Sequence, residues 1–242
     1  MANIQKVWII GGSSGIGAAL AQAYADDGAE VTISGRNAEA LEKVVSILGP
    51  RHSFVVADVV DPQSLEDAAK AHGPFDCIIT TAAIYDPGPV LAADQKKAED
   101  IIVANLTGTY NVARVGAKNL KPGGQLALFG SAAAIFGLPN GQVYSATKAG
   151  IVNLAQSLRV ELEPNVDVRL ITPGFVRTRL TDQNNFEMPF ILEPEAAAQR
   201  ILKGLKGKHF EIAFPRRLIW PLRVLAWLPK PISFALTKRL KQ

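Results

Sequence analysis

The chain has 242 residues, of which 48% are hydrophobic and 20% are charged, so it can bury a substantial core in one large domain. The single cysteine, Cys77, cannot form an internal disulfide, and the three histidines lack metal-ligand spacing, which argues against a zinc site. No secretory signal is visible at the N-terminus, so we expect a cytoplasmic protein.

The net charge of +4 is unevenly distributed. Residues 200–242 contain eleven Lys or Arg and one acidic residue, Glu211, which gives this segment about +10 and leaves about −6 for residues 1–199. No segment resembles a base-reading module, so nucleic acid is not expected as a partner.

The first predicted elements are a strand at residues 6–10 and a small-residue helix at 18–25, joined by a glycine-rich turn. Gly11, Gly15 and Gly17 let the backbone turn tightly and approach a ligand closely, while free N–H groups at the helix start attract phosphate. A glycine cluster alone is more often a simple turn. The strand before it and the helix after it favour a dinucleotide site.

Arg36 ends the second predicted strand, residues 30–36, where a doubly wound fold meets the adenosine ribose. An acidic residue there would bind a free 2′-hydroxyl, whereas an arginine can pair with a 2′-phosphate. NADP(H) is therefore predicted in preference to NAD(H). The alternative is that Arg36 is a solvated loop residue.

Further strands alternate with helices along the chain. Strands are predicted at 53–57, 76–79, 125–129, 166–172 and 208–214, and helices at 38–48, 65–72, 94–120, from about 141 to 162, and 194–204. Strands that alternate with helices at crossover spacing indicate an α/β protein with a doubly wound parallel sheet and right-handed connections.

Several candidate cofactor residues follow strands of this sheet. A carboxylate at Asp58, beside Val59, could meet an adenine edge, and the small residues Thr81 and Ala82 would let a cofactor lie across the strand ends. Asn105 is a polar amide in an apolar helical pattern, so it is either hydrogen-bonded structure or part of a site.

Tyr144 and Lys148 are four residues apart on a predicted helix, so both can point into one cleft. A nearby cation favours the phenolate and lowers the pKa of a tyrosine, which makes the pair a candidate acid/base site. Such a pair also arises by chance. Ser131, at the carboxyl end of a central strand, supplies a third polar group at the edge where open α/β sheets bind ligands.

Together these motifs resemble the short-chain dehydrogenase/reductase family from about residue 4 to 180. The matching residues are Gly11, Gly15, Ile16, Gly17, Asp58, Asn105, Ser131, Tyr144, Lys148, Pro173 and Gly174. The resemblance implies a single-domain Rossmann fold, here residues 1–214, often assembled as a homodimer or tetramer. Two departures concern the cofactor scaffold: Ile10 replaces a usual threonine, and residues 80–83 read Thr-Thr-Ala-Ala instead of Asn-Asn-Ala-Gly.

The resemblance also implies roles. Tyr144 would donate or accept the proton and Ser131 would orient the substrate oxygen. Lys148 would hold the nicotinamide ribose and lower the Tyr144 pKa, and Asn105 would support a water-linked proton path. Thr178 would contact the nicotinamide carboxamide, beside Val176, while Ser13, Ser14 and Ile16 occupy phosphate-loop positions.

The function so implied is hydride transfer between NADP(H) and a ketone, an aldehyde or a secondary alcohol. The alternative is a catalytically silent dinucleotide-binding regulator or interaction protein.

The C-terminal third is the least typical part of the chain. Residues 181–192 fall where the resembled family places a mobile lid, and Phe186, Met188 and Phe190 suggest a small apolar carbonyl or alcohol substrate, unless they pack in the core. Residues 215–242 form a basic extension rich in Trp, Pro and Leu, too interrupted to span a bilayer. It could pack over the pocket, contact a second subunit, or bind an anionic membrane surface through Arg216, Arg217, Arg223, Lys238, Arg239 and Lys241.

Overall fold

The strands lie in one parallel sheet. The computed structural model describes residues 5–238, in which the strands are β1 (Lys6–Ile10), β2 (Glu30–Gly35), β3 (Ser53–Val56), β4 (Phe75–Thr80), β5 (Leu120–Phe129), β6 (Val166–Pro173) and β7 (Glu211–Phe214). Their order is β3-β2-β1-β4-β5-β6-β7, with every neighbouring pair parallel. The order reverses between β1 and β4, which is where doubly wound sheets open a crevice for ligands. The predicted fold class is confirmed.

Helices cover both faces of the sheet. They are α1 (Gly15–Asp26), α2 (Ala38–Leu48), α3 (Pro62–His72), α4 (Gln95–Ile101), α5 (Gly108–Asn119), α6 (Gln142–Glu161), α7 (Pro194–Leu205), α8 (Arg216–Trp227) and α9 (Lys230–Thr237). Local signals set several of their ends. Asn37 caps α2 by accepting a hydrogen bond from Ala40 N, and Asp61 caps α3 in the same way from Gln63 N.

Alternating residues of each strand feed two separate cores. In β1, Val7 and Ile9 pack under α1 and α7, whereas Trp8 and Ile10 pack on the other face with α3, α5 and α6. All four side chains are buried, and burying each contributes roughly 2 kcal/mol of hydrophobic stabilisation. The sheet is thus held from both faces, which leaves the carboxyl ends of its strands as the accessible edge.

The helix predicted over residues 94–120 is wrong in two places. Residues Ile102–Thr107 form a π-helical turn between α4 and α5, and α5 ends at Asn119. The chain then enters β5 at Leu120, five residues earlier than expected, because Leu120 pairs with Phe75 although a glycine-containing stretch follows it. The last strand, predicted from residue 208, begins only at Glu211.

Two helices, α8 and α9, lie within residues 216–237, and the sequence did not predict them because prolines interrupt this segment. Pro221 lies inside α8 and removes one helical hydrogen bond, but Ile219 on the same helix is buried. Ser233 on α9 is fully buried, and its hydroxyl donates to the carbonyl of Leu225, at 2.8 Å. This bond ties α9 to α8, and the two helices are called the C-terminal helix pair below.

None of the helices within residues 5–238 has the length and apolar character needed to cross a membrane.

Candidate functional site

A cleft of about 550 Å³ opens at the carboxyl ends of the central strands. It is lined by all the predicted site residues except Asn105, namely Gly11, Ser13, Ser14, Gly15, Ile16, Gly17, Arg36, Asp58, Val59, Thr81, Ala82, Ser131, Tyr144, Lys148, Pro173, Gly174, Val176 and Thr178. Residues far apart in sequence therefore converge on one surface. This convergence is what a dinucleotide with a reacting group at one end requires.

The glycine turn leaves the start of α1 open to the cleft. A Cβ on Gly17 would lie 2.2 Å from the Gly11 carbonyl oxygen, so the turn can close only with glycine at this position. Ser14, at the N-cap of α1, makes no side-chain capping bond, and the first N–H groups of a helix have no intrahelical partner. The turn therefore offers backbone donors and a positive helix end, which suit a pyrophosphate.

Thr81 holds this turn from the neighbouring strand. Its hydroxyl lies 3.1 Å from the carbonyl oxygens of both Ile10 and Gly11, and its N–H donates to Ile10 at 2.7 Å. Residues 80–83 depart from the pattern of the resembled family, yet Thr81 supplies a polar tie between strand ends β1 and β4. The departure is therefore structurally compatible with an ordered turn.

Arg36 and Asp58 mark the far end of the cleft. Arg36 is exposed and directly follows Gly35, whose backbone lies next to the hydroxyl of Ser13. Asp58 lies two residues after β3, and its carboxylate accepts a hydrogen bond from the Val60 N–H at 3.1 Å. Arg36 and Ser13 thus both line the cleft near the end of β2.

Ser131, Tyr144 and Lys148 form the other end. Ser131 caps a short 3₁₀ turn, its hydroxyl oxygen accepting from Ala133 N at 3.1 Å. Lys148 Nζ donates to the Phe129 carbonyl at 2.9 Å and lies 5.6 Å from the centroid of the Tyr144 ring. The hydroxyl, the phenol and the amine therefore face one region of the cleft.

Burial shifts the pKa values of Tyr144 and Lys148. Desolvation raises the pKa of the Tyr144 phenol to about 12, with the nearby Ser131 hydroxyl acting in the opposite direction. Burial also lowers the pKa of Lys148 to about 8. The expectation that Lys148 draws the Tyr144 pKa down is thus wrong for these groups as they stand, because desolvation dominates.

Asn105 is buried under the cleft and does not line it. It lies in the π-helical turn, where its side-chain oxygen accepts from Ile84 N at 2.8 Å and its amide donates to Ile84 O at 2.9 Å. The same amide is 3.5 Å from the hydroxyl of Thr147 on the Tyr144 helix. Asn105 therefore joins the loop after β4 to the helix that carries Tyr144 and Lys148.

Tyr85 was missed as a site residue, because its sequence neighbours mark only a turn. Its ring meets the Tyr144 ring edge to face with centroids 4.8 Å apart, and its hydroxyl donates to Asn184 at 3.0 Å. Asn184 lies within the predicted lid, so Tyr85 links the reacting end of the cleft to that segment. A tyrosine shortly after a strand end was the only available signal.

The predicted lid has an exposed apolar surface. It begins with a 3₁₀ turn at Thr181–Gln183, and its residues Phe186 and Phe190 are 41% and 49% exposed. Phe186 packs edge to face on Phe175, while Arg179, Leu180, Thr181 and Gln183 add to the cleft wall. The alternative that these phenylalanines form core is therefore wrong.

A doubly wound sheet with a glycine turn, and a serine, a tyrosine and a lysine at its ligand-binding edge, defines a Rossmann-type dinucleotide-binding protein. The sequence profile of the family described as short chain dehydrogenase matches residues 5–188. The chain belongs to the short-chain dehydrogenase/reductase family, as its motifs predicted.

Individual relatives match between about three quarters and nearly all of the chain. An uncharacterized oxidoreductase of Myxococcus xanthus is 30% identical, with 96% of each chain covered. The 3-oxoacyl-[acyl-carrier-protein] reductase MabA of Mycobacterium bovis is 30% identical over 73% of this chain and 71% of its own. A short chain dehydrogenase from Burkholderia cenocepacia, solved in complex with NADP, superposes with a TM-score of 0.85 at 27% identity, covering 99% of this chain and 98% of that one.

Proposed function

We propose that the protein is an NADP(H)-dependent oxidoreductase that reduces an apolar ketone or aldehyde to an alcohol, with Tyr144 as the proton donor. The observation that carries the proposal is the convergence of Ser131, Tyr144 and Lys148 at one end of a cleft whose other end begins with a phosphate-binding type of turn. The similar Burkholderia cenocepacia structure holds NADP, and MabA is named as a reductase of a 3-oxoacyl group.

The cofactor would be held by residues at both ends of the cleft. Backbone N–H groups at the start of α1 would take the pyrophosphate, Arg36 and Ser13 the 2′-phosphate, and Lys148 the nicotinamide ribose. A bound nicotinamide dinucleotide supplies the hydride. The absence of a carboxylate at position 36, where one would bind a free ribose, supports NADP(H) over NAD(H).

The protonation of Tyr144 supports the reductive direction. With a pKa of about 12, the phenol keeps its proton at neutral pH and can deliver it to an oxygen that becomes negative. The Ser131 hydroxyl would donate a second hydrogen bond to the same oxygen and so stabilise the developing charge. Oxidation of an alcohol would instead need the phenolate, which burial disfavours.

The walls around Tyr144 support an apolar substrate. Ile84, Tyr85 and Leu180 line the cleft, and Phe186 stands at the lid. Closing such a wall over a carbonyl would exclude water from the reaction. Tyr85, held by Asn184, would place the lid relative to the proton donor.

Replacing Tyr144 with phenylalanine tests the proposal. We expect NADPH-dependent reduction of a panel of ketones to fall by about a thousandfold or more, since proton donation and one hydrogen bond to the oxygen are lost together. NADPH binding, measured by titration of its fluorescence, should remain close to wild type. Tyr110→Phe is the matched control, because it removes the hydroxyl of a half-exposed tyrosine on α5 that does not line the cleft.

A catalytically silent binding protein would behave differently. If the wild type bound NADPH but reduced no member of a panel spanning small, long-chain and polycyclic ketones, or if Tyr144→Phe turned over as fast as wild type, the reductase proposal would be wrong.

A further inference from the structure

The outer face of α8 carries an apolar stripe, defined here as Trp220, Val224 and Trp227. These positions are spaced four and three residues apart, so they stand on one side of the helix. Their exposed fractions are 61%, 53% and 91%, although tryptophan is usually well buried. Two of the three tryptophans of the protein thus lie on this stripe.

The stripe is built as an outer face and is not a loosely packed core. A different side of α8 buries Ile219, and α9 buries Ser233 and Thr237. Ser233 donates to a carbonyl of α8, and Thr237 donates to the Ser233 carbonyl at 3.0 Å. These residues therefore form the inward side of the C-terminal helix pair, and the stripe is left facing outward.

Basic side chains accompany the stripe on α8 and on α9. Residues 215–242 contain seven Lys or Arg and no Asp or Glu. Arg216, Arg217, Lys230 and Lys238 are exposed, whereas Arg223 is ion-paired with Glu211 at 2.6 Å. Arg239 and Lys241 lie outside the described residues. A helix with aromatic residues on one face and cations beside them has the composition of helices that lie in the headgroup layer of an anionic membrane.

We propose that α8 and α9 dock the protein on the surface of an anionic lipid bilayer, with Trp220, Val224 and Trp227 entering the headgroup boundary. Charge complementarity favours lipid over a second copy of this chain. A two-fold pairing through the stripe would bring two segments of the same positive charge together, whereas anionic headgroups supply the opposite charge.

The C-terminal helix pair, α8 and α9, lies beside the reacting end of the cleft. Phe234 of α9 packs against Phe136 with ring centroids 6.3 Å apart, and Lys230 Nζ lies 5.2 Å from the Phe136 ring. Phe136 follows Ser131 by one short turn. If the proposed function holds, an apolar substrate dissolved in the bilayer would meet the cleft near its point of entry. The docking itself does not depend on that function.

Flotation with vesicles tests the docking. The full-length protein should rise with vesicles of phosphatidylcholine containing about 30% phosphatidylserine, and much less with pure phosphatidylcholine. Trp220→Gln combined with Trp227→Gln should weaken partitioning by about tenfold or more, and Arg216→Gln with Arg217→Gln should weaken it on anionic vesicles only. The matched control is Ile47→Gln with Val160→Gln, which removes apolar side chains that are 77% and 79% exposed on α2 and α6. This control should float like wild type.

A second measurement keeps the result independent of folding and turnover. Each variant is first shown to melt at the wild-type temperature, which is expected because the substituted side chains are exposed. Tryptophan fluorescence of the wild type should shift to the blue on adding anionic vesicles, while the double tryptophan variant, which retains only buried Trp8, should not shift.

Either of two results would overturn the proposal. In one, wild-type protein stays in the aqueous fraction with anionic vesicles. In the other, both double variants and the control float equally. If light scattering showed a dimer that the tryptophan variant turned into a monomer, and no flotation occurred, the stripe would be a contact between copies and not a lipid surface.

Discussion

At the scale of single residues, burial determines the chemistry of the site. The same desolvation that keeps Tyr144 protonated makes the ammonium of Lys148 unfavourable, since both effects disfavour a charge away from water. Lys148 offsets part of this through its bond to the Phe129 carbonyl. A cation is therefore held beside the phenol at a cost to folding stability.

That cost should appear in the pH dependence of stability. The pKa of Lys148 is lowered to about 8 in the folded protein, so from pH 8 upward the unfolded chain binds more protons and stability rises. We expect wild type to gain about 2 kcal/mol relative to Lys148→Met between about pH 7.5 and 9.5, a window below the titration of the buried tyrosine. Urea unfolding at several pH values measures this, and parallel curves for the two proteins would contradict it.

Arg36 is the residue on which cofactor preference should depend. Replacing it with aspartate removes a charge-assisted contact to a 2′-phosphate and adds an acceptor for a 2′-hydroxyl, so NADPH should bind about 10–100-fold more weakly and NADH more tightly. Arg51→Asp makes the same charge change at another exposed site. Titrations of both cofactors decide the matter. An unchanged ratio of NADPH to NADH affinity in Arg36→Asp would make Arg36 a solvated loop residue.

At the scale of elements, the π-helical turn at Ile102–Thr107 performs a specific task. It carries Asn105, which satisfies both backbone groups of Ile84 and reaches toward Thr147. The loop after β4 and the helix α6 are thereby kept in register with each other. This arrangement determines where Tyr85 and Tyr144 meet.

Asn105→Ala should therefore destabilise the fold by about 2–4 kcal/mol, because two partly buried backbone groups of Ile84 lose their partners and Asn105 itself is buried. Asn111→Ala is the control, since the Asn111 amide donates to a single carbonyl, that of Val59. We expect the control to lose clearly less. If chemical denaturation gave equal decreases in the free energy of unfolding for both variants, the double contact to Ile84 would contribute no more than the single bond of Asn111.

The sequence predicts the regular elements of this fold well, and the interruptions poorly. Strands such as residues 6–10 are apolar runs bounded by glycine, and the spacing of Gly11, Gly15 and Gly17 predicts a tight turn. The π-helical turn carries no such mark, and the contact that its Asn105 makes is with Ile84, 21 residues earlier in the sequence. The helix α8 was not predicted for the same reason: Pro221 argues against it locally, and only packing of the folded chain favours it.

The candidate site was predicted unevenly for a similar physical reason. Residues with distinctive chemistry, such as Ser131 and Lys148, are visible in the pattern. Tyr85 becomes a site residue only because the ends of β4 and α6 are adjacent, which no local spacing reveals. The protonation of Tyr144 depends on how completely its surroundings exclude water, and that too is a property of the folded chain.

At the scale of the whole molecule, cofactor binding should stabilise the fold. NADPH at about 100 times its dissociation constant should add about 2.7 kcal/mol to the free energy of unfolding, which for a chain of this size raises the melting temperature by about 5–10 °C. NADH at the same concentration should raise it less. Thermal denaturation measures both, and equal shifts would contradict the proposed preference for NADPH.

One close contact joins α8 to the wall of the cleft. A Cβ added to Gly174, in the cleft wall, would lie 2.6 Å from Leu218 of α8. Among diverged sequences that keep this helix, positions 174 and 218 should therefore vary together, a bulkier residue at one accompanied by a smaller one at the other. Positions 220, 224 and 227 are under no such constraint from the cleft, so they are free to follow whatever surface the helix meets.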